Sequence, residues 1–126
     1  MNKSIWENIS FAGIAGETET NISWSPTINL DDTVQFAITC QSGNAANVTY
    51  PMRINLYANI ADSDWNVSAD TDPYASFDNI SSGNVVKRRT VPISPDPKYV
   101  RIRLQNRNVA GKNISDARIW VTQGEI

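Results

Sequence analysis

The sequence predicts an all-β chain: a single antiparallel β-sandwich, jelly-roll or immunoglobulin-like, with an extended N-terminal segment. Three observations carry that expectation. Several short segments alternate apolar and polar residues with period two, and no window shows an apolar stripe at i, i+3, i+4, i+7. The chain is rich in Asn (14), Ser (12) and Thr (9); the first two favour turns over helix interiors, and the third suits strands. Its 126 residues, 40% of them hydrophobic, allow one domain with one modest core. A closed barrel is the alternative architecture.

The elements follow in order. Residues 5–11, 18–24 and 28–30 supply short extended segments at the start. In 34–40, Val34, Phe36, Ile38 and Cys40 alternate with Gln35 and Thr39, which predicts a strand with the first set inward. Gln41 to Asn44 is a turn signal. Residues 52–58 place Met52, Ile54 and Leu56 inward and Arg53, Asn55 and Tyr57 outward, with Pro51 tolerated at the strand start. A polar excursion over 61–84 follows, with a short strand near 74–77. Residues 85–91 read as a strand. Pro92, Pro95 and Pro97 then fix φ and delete backbone donors, so 92–97 is extended. The best alternation is 98–105, with Val100, Ile102 and Leu104 inward and Tyr99, Arg101 and Arg103 outward. Gly111 lies in the next turn, and 117–122 closes the domain. The expected division is an extended arm over 1–15 and one sandwich over 16–126.

Composition excludes much chemistry. With no histidine and one cysteine, the chain has no Ser-His or Cys-His nucleophile pair, no His-ligated zinc and no intramolecular disulfide. Cys40 reads as a small buried hydrophobe. Gly-rich phosphate loops, a Gly-x-Ser-x-Gly elbow and a dinucleotide fingerprint are missing from the sequence. The expectation is a non-enzyme with no cofactor. No apolar run reaches the roughly 18 residues of a membrane span, and the first ten residues lack the pattern of a signal peptide. Seven Asn-x-Ser/Thr sequons, at Asn2, Asn8, Asn21, Asn47, Asn66, Asn79 and Asn113, are what an Asn- and Ser/Thr-rich chain generates by chance.

Four sets of residues remain as candidates. Asp62, Asp64, Asp70 and Asp72 could offer oxygens to calcium, although Val67 and Pro73 break the EF-hand pattern; solvated loop and capping residues are the plainer reading. Trp65 and Tyr74 flank that acidic stretch and could stack on sugar rings, or simply pack. Arg101 and Arg103 project from one strand face as a basic patch. An acidic pI of about 4.9 argues against a dedicated nucleic-acid binder and favours contact with a neighbouring subunit. Ile5, Trp6, Ile9 and Phe11 make the N-terminal segment unusually apolar, which suits a clamp on another protein. Residues 1–86 sum to −8 and residues 87–126 to +6. The split suits head-to-tail contact between like subunits, unless folding interleaves the two parts.

From residue 20 onward, the chain resembles small β-sandwich virion proteins of tailed phages, of the capsid-decoration, head-fibre and tail-accessory type. The stretches that carry the likeness are Ser25-Pro26-Thr27-Ile28-Asn29-Leu30, Asp64-Trp65, Asp72-Pro73-Tyr74-Ala75-Ser76-Phe77, Asp96-Pro97-Lys98-Tyr99-Val100-Arg101-Ile102-Arg103 and Ile119-Trp120-Val121. The resemblance implies a non-enzymatic homo-oligomer bound to a major capsid or other virion protein, assembled in the host cytoplasm, with no membrane partner. The chain is also similar to carbohydrate-binding modules of the same architecture, which would use Trp65 and Tyr74, with or without calcium. A chaperone or scaffold adaptor of the same assembly pathway is a third reading.

Overall fold

The computed structural model describes residues 3–14, 23–41, 52–59, 73–79, 88–108 and 114–125. Nine strands fill these segments, and all pairings are antiparallel: β1 (Lys3–Ile14), β2 (Ser23–Trp24), β3 (Ile28–Asn29), β4 (Thr33–Gln41), β5 (Arg53–Asn59), β6 (Ala75–Asp78), β7 (Arg88–Ile93), β8 (Tyr99–Gln105) and β9 (Ile114–Glu125). Sheet A has the order β1-β9-β4-β7, and sheet B the order β2-β8-β5-β6, with β3 also paired to β8. The two inner faces share one core. Phe36, Ile38, Cys40, Ile119 and Val121 come from sheet A, and Ile54, Leu56, Val100, Ile102 and Leu104 from sheet B. This is the expected β-sandwich.

Strands β2 and β3 are two pieces of one edge strand. Pro26 lies between them and has no N–H for the ladder. Ser25 bridges the break. Its N–H donates to the Ile102 carbonyl at 2.8 Å, and its Oγ accepts the buried Ile102 N–H at 2.8 Å. With β2 and β3 counted together, each four-stranded sheet joins strands remote in sequence, which is jelly-roll order. Loss of the Ser25 hydroxyl leaves a buried donor unpaired. Ser25→Ala is therefore expected to cost about 1–3 kcal/mol in denaturant unfolding.

Most strand positions agree with the sequence pattern. In β8, Val100, Ile102 and Leu104 are buried and their neighbours half-buried. Pro92 falls within β7, at the edge of sheet A, where a missing donor is tolerated. Val34 corrects the expected inward set, because it is the one exposed large hydrophobic residue among those described, 48% accessible. The cause is a bulge: Thr33 pairs with Glu125 but Gln35 with Gly124, so one residue of β4 is extra and turns out to solvent. The bulge brings Gln35 close to Gly124, where an added Cβ would stand 3.2 Å from the Gln35 Cβ. Just before it, Asp32 takes a left-handed conformation (φ 61°) in the turn from β3.

Residues 3–14 of the expected arm lie inside the sandwich. β1 pairs with β9 from Lys3↔Glu125 to Ile14↔Ile114. A buried polar link ties the sheets together at one end: Gln123 Nε2 donates to the Asn29 carbonyl at 2.8 Å and to Thr33 Oγ1 at 3.2 Å. The charge split does not become two halves in space. Late strand β8 pairs with β2, β3 and β5, and late strand β9 pairs with β1 and β4.

Candidate functional site

The outer face of sheet B gathers most of the chemistry among the described residues. Cross-strand register sets it out in rows. Trp24 lies opposite Arg103, Arg103 opposite Asn55, and Asn55 opposite Ser76. In the flanking rows Tyr57 lies opposite Arg101, and Arg53 lies between Gln105 and Asp78. Cross-strand partners share a face, so alternation in four strands places all of these on one surface.

That surface is more ordered than an outward strand face needs to be. Asn55 and Tyr57 belong to the outward set, yet both are 5% accessible. Trp24 covers Tyr57, with ring centroids 5.2 Å apart and planes tilted by 52°. The Arg101 guanidinium sits 5.1 Å from the Trp24 ring centroid and that of Arg103 5.9 Å from it, both in cation–π range. Arg101 Nε also donates to the Ser25 carbonyl at 3.0 Å. Arg103 Nε is shielded from solvent and has no hydrogen-bond partner. Beside them Asn55 accepts from the Ser76 hydroxyl at 2.8 Å and donates to Gln105 at 3.3 Å.

A second cluster closes the β6 edge. Asp78 holds Arg53 at 3.0 Å and Arg107 at 3.3 Å, while Arg89 donates to the Asp78 carbonyl at 2.6 Å. All three side chains of the ion pairs are partly exposed, so screening keeps each pair near the 0–1 kcal/mol typical of surface pairs. Their value is in orientation: two arginines are fixed about the Asp78 carboxylate and a third on its backbone carbonyl.

The outer face of sheet A offers a shallower feature. A depression of about 400 Å³ is lined by Val34, Gln35, Ala37, Pro92, Ile93 and Thr122 among others. Along the same sheet Arg88 lies 4.6 Å from the Trp120 ring centroid and donates to Gln41 at 2.9 Å.

The sequence-selected residues meet different fates. Arg101 and Arg103 are together, as one strand face requires. Ile9 packs against the shared core. Ile5, Trp6 and Phe11 take their places in β1 opposite Gln123, Thr122 and Ala117. Tyr74 is packed against the core, and its hydroxyl donates to the Ser94 carbonyl at 3.5 Å; burial, with Asp96 nearby, holds that hydroxyl well above the usual phenol range. Trp65 and the calcium candidates Asp62, Asp64, Asp70 and Asp72 lie outside the described residues, and no metal-binding group of His, Cys, Asp or Glu occurs within them. Two sequons can be placed: Asn8 is exposed on β1, whereas Asn79 is 1% accessible and closed to a glycan. Trp24 is the candidate residue least visible from the sequence. Its signal was its place just before the Ser-Pro break, opposite the strand with two outward arginines.

Cys40 is fully buried, and desolvation pushes its thiol up to about 11. Ionisation therefore favours the unfolded chain, and the thiol contributes to falling stability as pH rises from 9 to 11. A disulfide reagent at pH 8 is expected to leave Cys40 unmodified in the native protein and to label it fully in denaturant. Rapid native labelling would show that the core opens readily.

No family model matches the chain, and no curated protein matches it in sequence. Solved structures do. One comes from Bacillus endospore appendages, described as a novel family of disulfide-linked pili; the TM-score is 0.50 at 7% identity, covering 99% of this chain and 89% of that one. A second is the K1 cleaved adhesin domain of Lys-gingipain from Porphyromonas gingivalis W83, at TM-score 0.45 and 12% identity over 99% and 96%. A third belongs to the capsid asymmetric unit of cyanophage Pam1, at TM-score 0.44 and 17% identity over 99% and 85%. The first likeness shows a shared fold. Among the described residues no helix is long and apolar enough to cross a membrane.

Proposed function

We propose that the chain is a non-enzymatic structural protein of a virus particle. In that role it decorates or stabilises a phage capsid through contacts with the major capsid protein and with like subunits. The observation that carries this reading is the outer face of sheet B, where Arg101 and Arg103 are held over Trp24 on a rigid sheet. Trp, Tyr and Arg are the residues that most often anchor protein contacts, and side chains fixed in advance lose little entropy on binding. The jelly-roll order supports the same reading by analogy of fold, because such sandwiches recur in viral capsid domains.

Light scattering on the eluting protein, alone and mixed with purified phage particles, tests it. The expected result is a mass above the 14.0 kDa of one chain, together with co-elution with particles. A monomer at every concentration that ignores particles contradicts it.

A further inference from the structure

We propose that the arginine cluster around Asp78 binds a doubly charged phosphate group, either free phosphate or a monoester. The cluster sits where the edge strands of the two sheets meet, β6 of sheet B and β7 of sheet A. Asp78 of β6 holds Arg53 with one carboxylate oxygen and Arg107 with the other, and its backbone carbonyl accepts from Arg89 of β7. These four side chains, three arginines against one aspartate, leave a balance of +2. Asp31, Asp32, Asp96 and Glu125 lie near the opposite ends of the strands, by Thr33 and Tyr99.

Donors remain for a ligand. Arg53 spends its Nε on Asp78, and Arg89 its Nη1 on the carbonyl; their other guanidinium nitrogens have no hydrogen-bond partner among the described residues. The Arg53 side chain is 36% accessible and Arg89 is exposed, so a ligand from solvent reaches both. Asp78 fixes each of them, and the Phe77 ring lies 5.8 Å from the Arg89 guanidinium. Guanidiniums held in this way suit the oxygens of a phosphate, which take charge-assisted hydrogen bonds in pairs. Charge selects the kind of phosphate. A monoester carries about −1.5 to −2 near neutral pH and matches the cluster, whereas a backbone diester carries half of that or little more. A phosphate shared by Arg53 and Arg89 would tie sheet B to sheet A, so its binding stabilises the native chain.

Calorimetric titration and thermal melting with inorganic phosphate, against chloride at matched ionic strength, test the site. The proteins are the wild-type chain, Arg53→Gln, Arg89→Gln and Arg88→Gln, with circular dichroism as the check on folding. Phosphate is expected to bind the wild type and to raise its Tm. Affinity is expected to fall about tenfold or more in Arg53→Gln and in Arg89→Gln. Arg88→Gln is expected to bind as wild type, because Arg88 is engaged by Gln41 and Trp120. A 5′-phosphorylated oligonucleotide and the same strand without that phosphate separate the sources. Displacement of phosphate by the phosphorylated strand alone assigns a terminal phosphate to the site, and displacement by neither strand assigns free phosphate; both support the inference. Equal displacement by the unphosphorylated strand assigns the cluster to diester backbones and overturns it. A Tm no higher in phosphate than in chloride, or affinity unchanged in both Arg53→Gln and Arg89→Gln, overturns it as well, and leaves the structural-subunit reading in place.

Discussion

Deletion of residues 1–14 is expected to abolish cooperative folding. β1 is the only partner of β9 on one side, and it covers that strand from Ile114 to Glu125. Without it, a twelve-residue edge of unpaired N–H and C=O groups is left beside the core, open to pairing with other chains. The packing of Ile9 on the core is lost as well. A domain of this size has about 5–15 kcal/mol of stability in all, so removing one strand of a four-stranded sheet consumes much of it. Thermal melting followed by circular dichroism should show a broad transition or aggregation. A truncated chain melting within about 2 °C of the intact one would mean that β1 contributes nothing to the domain. The apolar residues of this segment suggest, in sequence, a clamp on neighbouring subunits; in the fold, its backbone is spent inside the chain's own sheet.

Ile119→Ala is expected to destabilise the domain by about 2–5 kcal/mol. Ile119 is fully buried at the centre of sheet A, in register with Ile9 on one side and Cys40 on the other, so neighbours on both strands would have to move to fill the space. Val34→Ala is the matched control. Val34 belongs to the same apolar alternation as Phe36 and Ile38, but the bulge exposes it, and its truncation is expected to stay within about 0.5 kcal/mol. Chemical denaturation separates the two. Equal losses would place Val34 in the core and remove the bulge from the fold.

The strands were readable where one face is buried and the other wet. β4, β5 and β8 follow period two so closely that their inward sets, Val34 aside, are the core residues of the sandwich. The jelly-roll order was not readable, because it depends on which remote strands pair, and alternation carries no information about partners. The bulge at Val34 escaped for a related reason: a bulge is a mismatch between two strands, visible only in register. Tyr57 and Asn55 do lie on the outer face, but the burial of Tyr57 depends on Trp24 from β2, and Asn55 is held by Ser76 and Gln105 from two other strands. The same interleaving dissolves the charge split of the sequence. Arg53, from the acidic part, joins Arg101, Arg103 and Arg107 from the basic part on one surface.

Hydroxyl-radical footprinting of the assembled chain tests most directly whether sheet B is the surface that joins copies. Trp24, half-exposed among Arg101 and Arg103, is expected to lose reactivity as concentration rises, while Trp120 on the outer face of sheet A keeps its own. Protection of Trp120 with Trp24 unchanged would contradict the account and place the contact on sheet A.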